Sequence, residues 1–231
     1  MVKQIFFDLG LTLVHNDMPR RYQTAFKEIG YDISLSQAER AYHLANKYFM
    51  RFRQGALSQK SDSIVSDFHR CVCQYLDTES AWKDFSNQLK KMERPVWRCL
   101  DFTLNMLDEL NDMGIKTGLI SNWDLSCRAV LEKNKILSRL NCVVVSEEVG
   151  AEKPDKKIFE EALKLTGANP DECFYVGDNY YDDYIGSQKV SMPCAIINYQ
   201  GKLGIEEVDC PIVIEQACEV VDLMKKHLIS K

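Results

Sequence analysis

The sequence lacks a C-x-x-C pair, a basic stripe and a long apolar run, and each absence closes a class of function. Nine cysteines are present, but they are odd in number and dispersed from Cys71 to Cys218, so neither a disulfide framework nor a zinc site of ordinary spacing is encoded. Free thiols in a reducing compartment are the expectation. Cys71 and Cys73, the nearest pair, fall in an amphipathic helical pattern and read as packing residues. Positive charge is not in excess: 29 Lys and Arg against 34 Asp and Glu leave a net charge of -5. The basic residues are scattered, so no surface is set up to neutralise a nucleic-acid backbone. A small anionic substrate stays compatible, because a local field can oppose the net charge. No apolar stretch approaches the roughly 18 residues of a membrane span. The first strand-like run starts at Val2, immediately after Met1, leaving no room for a secretory signal, and the expected location is cytoplasmic. Internal repeats and low-complexity tracts are also missing.

What is present is 231 residues, 45% of them hydrophobic, enough to bury a sizeable core. Short apolar runs rich in β-branched and aromatic residues recur along the chain. They are VKQIFFD ending at Asp8, IKTGLIS ending at Ser121, CVVVS from Cys142 to Ser146, CFYVGD ending at Asp178, CAIINY from Cys194 to Tyr199, and PIVI from Pro211. Such runs read as buried strands. Helical patterns lie between them at Asp101 to Met113, Leu125 to Asn134, Pro154 to Thr166 and Tyr181 to Lys189, with a closing helix from Ile214 to Leu228. Strands alternating with helices imply right-handed crossovers and a parallel sheet. From Met18 to Glu93 the alternation stops. Ala38, Ala41, Tyr42, Ala45, Tyr48, Phe49 and Phe52, then Ile64, Val65, Phe68, Val72 and Leu76, recur at helical spacing. The expected organisation is an α/β, Rossmann-like core of residues 1–14 and 96–231 with an all-helical insert over 15–95, Pro95 marking the return.

In open parallel sheets, ligands gather at the carboxyl ends of strands. Asp8, Ser121 and Asp178 all sit at such ends. Lys153 precedes Pro154, which suits the first turn of a helix, so its ammonium is expected in the same crevice. Each residue alone reads as a cap, turn or surface group; four of them at successive crossovers read as a phosphate and metal site.

The run Phe6-Phe7-Asp8-Leu9-Gly10-Leu11-Thr12-Leu13 resembles the first motif of the haloacid dehalogenase superfamily, an apolar strand followed by D-x-D-x-T. Ile120-Ser121-Asn122 is similar to its second motif, Lys153-Pro154 with Phe159 to its third, and Val176-Gly177-Asp178 through Asp183 to its G-D-x-x-x-x-D fourth. The resemblance implies an Asp8 nucleophile, with Thr12, Ser121, Asn122 and Lys153 on the phosphate. It also implies Mg²⁺ held by Asp8, the Gly10 carbonyl, Asp178 and Asp183, and a small phosphorylated substrate. Many members carry a helical cap between the first and second motifs, which would account for the insert.

Gly10 departs from that pattern. Phosphatases of the superfamily usually carry there a second aspartate that serves as general acid and then base, worth about 10²- to 10⁴-fold. His15 and Asp17 are candidate substitutes, and Arg20, Arg21, Arg51 and Arg53 candidate contacts to an anionic substrate. A 2-haloacid dehalogenase, which lacks the second aspartate and needs no metal, is the competing reading, although Asp178 and Asp183 keep the acidic character that those relatives lose. A catalytically weak ligand-binding member is a third. Oligomeric state has no signature in the sequence.

Overall fold

The computed structural model describes residues 1–59 and 61–229. The chain divides into two units, one of residues 1–15, 97–202 and 207 onward, the other of residues 16–96 and 203–206. Among the described residues no helix is long and apolar enough to cross a membrane.

The first unit is built on β1 (Gln4–Phe7), followed by the two-residue β2 (Val14–His15). Past residue 96 come β3 (Arg98–Cys99), β4 (Lys116–Ser121), β5 (Cys142–Val145), β6 (Cys173–Gly177), β7 (Cys194–Ile197) and β8 (Val213–Ile214). Six of these form one sheet in the order β5-β4-β1-β6-β7-β8, and every pairing in it is parallel. Each expected apolar run thus contains a strand of this sheet. Strands that carry helices on both faces are buried on both, so they read as continuous apolar runs, and β1 and β6 are buried at every position. The order reverses at β1, which puts the topological switch point, and the ligand crevice it creates, beside Asp8.

Several boundaries differ from expectation. Ser146 does not extend β5 but opens a one-turn helix, Ser146–Val149. Pro154 is not in the first turn of its helix: the Lys153–Pro154 peptide is cis, and the helix runs Lys156–Thr166 with Asp155 as its N-cap, the Asp155 side chain accepting from the Lys157 amide. A short carboxylate in extended conformation satisfies an orphan N–H there, which proline cannot do. The segment from Tyr181 begins as a π-helical turn, Tyr180–Tyr184, before the helical residues Ile185–Gln188. The antiparallel β2–β3 pair has no sequence signal, two residues being too few for any period to show.

In the second unit the helices are α1 (Met18–Glu28), α2 (Leu35–Phe52), α3 (Asp62–Tyr75) and α4 (Trp82–Lys91). Ser34 and Gln37 form a reciprocal capping box at the start of α2, satisfying two orphan donors at once. The core is aromatic: Phe26 stacks on Phe85 with centroids 4.2 Å apart, and Tyr22 meets Phe85 edge-on at 5.1 Å. Such pairs add about 0.5–1.5 kcal/mol each beyond their buried area. Residues 203–206, far along the sequence, belong to this unit; the Leu203 carbonyl lies 2.9 Å from His43 Nε2. Cys71 and Cys73 are buried and free, and burial pushes each thiol up to about 11.

His69, between Tyr22 and Phe85, has its Nδ1 2.9 Å from Ser86 Oγ. Burial, aided by the charge of Lys90, lowers its pKa from 6.5 to about 4. The unfolded chain takes up this proton near pH 6.5 and the folded chain only near 4, so stability is intact above the first value and falls through the window between them. The loss from His69 should reach about 3 kcal/mol at its lower end. His43, lowered to about 4 by its own burial, adds a comparable slope. Urea unfolding at pH 7 and pH 4.5 should show His69→Gln losing about half of the wild-type difference, and equal differences in the two proteins would refute this assignment.

Candidate active site

Asp8 leaves the end of β1 and enters a tight loop. The Leu9 carbonyl accepts from both the Leu13 and Val14 amides at 3.0 Å, and the Leu11 amide donates to the Val14 carbonyl at 2.7 Å. Leu11 takes the left-handed conformation that closes the turn, φ 56°. Gly10 is not among the positive-φ glycines, so backbone strain is not what places a glycine there.

Four of the expected residues are joined around one buried ammonium. Lys153 Nζ donates to Asp8 Oδ1 at 2.8 Å, to Asp183 Oδ1 at 2.6 Å and to Tyr175 Oη at 2.9 Å, which uses all three of its protons. Ser121 Oγ donates to the same Asp8 Oδ1 at 2.9 Å. Burial works against the charge on Lys153, but Asp183 and then Asp8 outweigh it and hold its pKa well above the usual value. Both hydrogen bonds to Asp8 fall on Oδ1, leaving Oδ2 with no donor among the described residues.

The remaining expected residues take other places. Asn122 spends both ends of its amide on the Lys153 backbone, Nδ2 donating to the carbonyl at 2.9 Å and Oδ1 accepting from the amide at 2.7 Å. It positions the lysine. Asp183, fully buried, accepts from Lys153 on Oδ1 and from the Asn179 amide on Oδ2 at 2.9 Å, so both oxygens are committed to the protein. Thr12 is also fully buried, and its Oγ1 meets no hydrogen-bond partner, so no hydrogen bond joins it to Asp8. Asp178 follows β6 directly and is buried. Because β6 is paired in register with β1 and the Asp8 amide donates to the Val176 carbonyl at 2.9 Å, Asp178 emerges at the same sheet edge. His15 lies in β2 opposite Arg98, and Asp17 precedes α1, 3.6 Å from Arg20.

Among the described residues no group of three or more His, Cys, Asp or Glu side chains is placed to hold a metal ion. Among the described residues, the oxygens at this edge are the Asp8 carboxylate, the Gly10 carbonyl, which accepts no backbone hydrogen bond, and the Asp178 carboxylate. Two carboxylates and a carbonyl fit magnesium, a hard cation that takes few protein ligands and keeps waters and substrate oxygens in its remaining positions.

Tyr175 was not legible as a site residue, because a tyrosine within an apolar strand reads as core. The one signal was its hydroxyl, which must find a partner when buried. It accepts from Lys153 and donates to the Ile120 carbonyl at 2.8 Å. Tyr175→Phe strands one lysine proton and one carbonyl in a dry interior, so it should lower unfolding free energy by about 1–3 kcal/mol. An unchanged midpoint in urea would refute that. Asp182 was likewise overlooked: burial first, then the charge on Asp183, raises its carboxyl to about 7, and Asn179 Nδ2 donates to it at 2.7 Å. Gly177 has a steric reason, since a Cβ there would overlap the Asp183 carboxylate.

Comparison with known proteins gives a consistent family. The model of the haloacid dehalogenase-like hydrolases matches residues 5–197. The chain is 28% identical over 206 residues to human haloacid dehalogenase-like hydrolase domain-containing protein 3, covering 83% of this chain and 80% of that one. It is 34% identical over 130 residues to a glyceraldehyde 3-phosphate phosphatase of Methanopyrus kandleri, covering 52% and 54%. A solved 2-haloacid dehalogenase from Pseudomonas syringae shares the fold, with a TM-score of 0.56, 16% identity, and coverage of 98% and 100%.

Proposed function

The chain belongs to the haloacid dehalogenase-like hydrolase family, and from that premise we propose that it is a magnesium-dependent phosphatase acting on a small phosphorylated metabolite through an aspartyl phosphate on Asp8. The observation that carries the reading is the division of labour on Asp8: Oδ1 is pinned by Lys153 and Ser121, and Oδ2 is the oxygen left to attack. The phosphatase name of the archaeal relative supports it.

Asp8 Oδ2 bonds to phosphorus as the bond to the leaving oxygen breaks, and water then cleaves the acyl phosphate and restores the carboxylate. Bringing a phosphate charge to about 4 Å from Asp8 costs on the order of 4 kcal/mol per charge pair at an effective dielectric near 20. Lys153, held charged, and the Ser121 hydroxyl offset part of this. Magnesium, held by Asp8, the Gly10 carbonyl and Asp178, would supply the rest of the positive charge. Asp183, Asn122 and Tyr175 keep Lys153 in place. The helical unit is proposed as a cap that selects the substrate, with Arg20, Arg21, Arg51 and Arg53 as candidate contacts; replacing each by alanine should raise KM in at least one case, and four unchanged values would count against it.

The test is phosphate release from sugar phosphates, nucleotides, acyl phosphates and phospho-acids, with Mg²⁺ and with EDTA. Release that requires Mg²⁺ is expected. The 2-haloacid dehalogenase reading is favoured by Gly10, where no acid stands, and chloride release from a 2-haloacid in EDTA would establish it in place of the phosphatase. Binding of phosphorylated metabolites without turnover would instead indicate a ligand-binding member.

A further inference from the structure

Gly10 stands two residues past Asp8, and its surroundings are carbon. A Cβ at Gly10 would have Trp123 Cζ3 at 3.4 Å and Trp97 Cη2 at 3.8 Å as its nearest neighbours. The two indoles meet edge to face, centroids 4.9 Å apart and planes at 64°. Trp123 is fixed at several points. Its amide donates to Ser146 Oγ at 3.1 Å, its carbonyl accepts from that hydroxyl at 3.2 Å, and its Nε1 donates to Ser126 Oγ at 3.1 Å. It lies two residues past Ser121, the residue bonded to Asp8. Yet both indoles are only half-buried, whereas the phenylalanine of β1 next to Asp8 is wholly buried. A tryptophan pair left partly open around position 10, two residues past Asp8, presents apolar surface where no acid or base stands.

We propose that Trp97 and Trp123 form the surface that receives the non-transferred part of the substrate, and that they select an aromatic group carried directly on the phosphate oxygen. This rests on the phosphatase reading. In the first step the Asp8 Oδ2–P bond forms, the P–O(aryl) bond breaks, and the electron pair leaves as an aryl oxide, which takes its proton from solvent. Water then adds to phosphorus, gives its proton to solvent, and releases phosphate and Asp8. A phenol ionises near 10, as tyrosine does, so an aryl oxide departs with far less need of a proton than an alkoxide. The two indoles would therefore bind the ring whose departure asks least of a site with glycine at position 10. A Cβ introduced there would stand in ordinary van der Waals contact with both rings.

The experiment uses the full chain with Mg²⁺ and two non-hydrolysable probes, phenylphosphonate and methylphosphonate, with affinities measured by calorimetry. Phenylphosphonate should bind about tenfold tighter or more, from ring packing and apolar area together, and the ratio should fall toward one in Trp97→Leu and Trp123→Leu. Equal affinities in the wild-type protein, a measurement that needs no variant, overturn the proposal, as does failure of both probes to bind or a ratio that survives both substitutions. Hydrolysis of phenyl phosphate and ethyl phosphate separates this from the parent reading. If neither of these nor any phosphate of the wider panel yields phosphate, the phosphatase reading fails and the binding ratio still judges the indole surface. If both are hydrolysed with equal kcat/KM, the phosphatase stands and the aromatic preference is overturned.

Discussion

Asp8→Asn should abolish turnover, lowering kcat by on the order of 10⁴- to 10⁶-fold, the range seen when a covalent nucleophile is removed. The amide keeps the shape of the carboxylate, and its oxygen can still accept from Ser121 and Lys153, the two donors that hold Oδ1. What it loses is the charge and nucleophilicity of the second oxygen. The fold should survive, because Asp183 remains as the counter-charge of Lys153; a stability change within about 2 kcal/mol is expected. Phosphate release from the best substrate, paired with a urea melt of the same sample, makes the check. Retention of more than a few per cent of wild-type turnover by a folded variant would remove Asp8 from the mechanism.

Lys153→Met should be the most damaging substitution to the structure. The ammonium is almost wholly buried and pairs with Asp8 at 2.8 Å and Asp183 at 2.6 Å; methionine fills the space and leaves two carboxylates without their cation. Breaking one side of a buried ion pair costs about 3–5 kcal/mol, which for a chain of this size lowers the melting temperature by roughly 6 to 20 °C. Turnover should fall with it, since the lysine also holds Oδ1. The pH dependence carries a sign. Without the cation, the buried carboxylates are pushed toward their neutral forms, so one of them titrates above its unfolded value. The deficit against wild type should then be largest at neutral pH and shrink as pH falls through that raised value. Melts in EDTA at pH 7.5 and 5 would measure it, and a deficit that is absent, or grows on acidification, would contradict the proposed charge balance.

Particular residues show why some of this was legible beforehand and some was not. The strands of the sheet could be read because a parallel strand covered on both faces must be apolar at nearly every position, and that pattern is local. Asp8, Ser121 and Asp178 could be read because each ends such a run, and strand ends on one edge of a parallel sheet face the same crevice. Asn122 was legible as a neighbour of the site but not in its role, since an amide beside a strand can contact a ligand or clamp a backbone with equal chemistry. Asp183 followed the same course: its spacing from Asp178 marked it as acidic site machinery, and only the arrangement around Lys153 commits both of its oxygens to the protein.

By itself, then, the sequence determined the α/β architecture, the order of its strands and helices, and which acidic and basic groups stand at strand ends, because all of these follow from period, propensity and position along one chain. The tertiary structure decided what depends on long-range approach. It drew residues 203–206 into the helical unit, made Tyr175 a partner of a lysine 22 residues away, and brought Trp97 and Trp123 together beside a glycine at position 10. Contacts between residues so far apart leave no period in the sequence. Each depends on the packing of the whole sheet edge, and that packing is fixed only when the chain has folded.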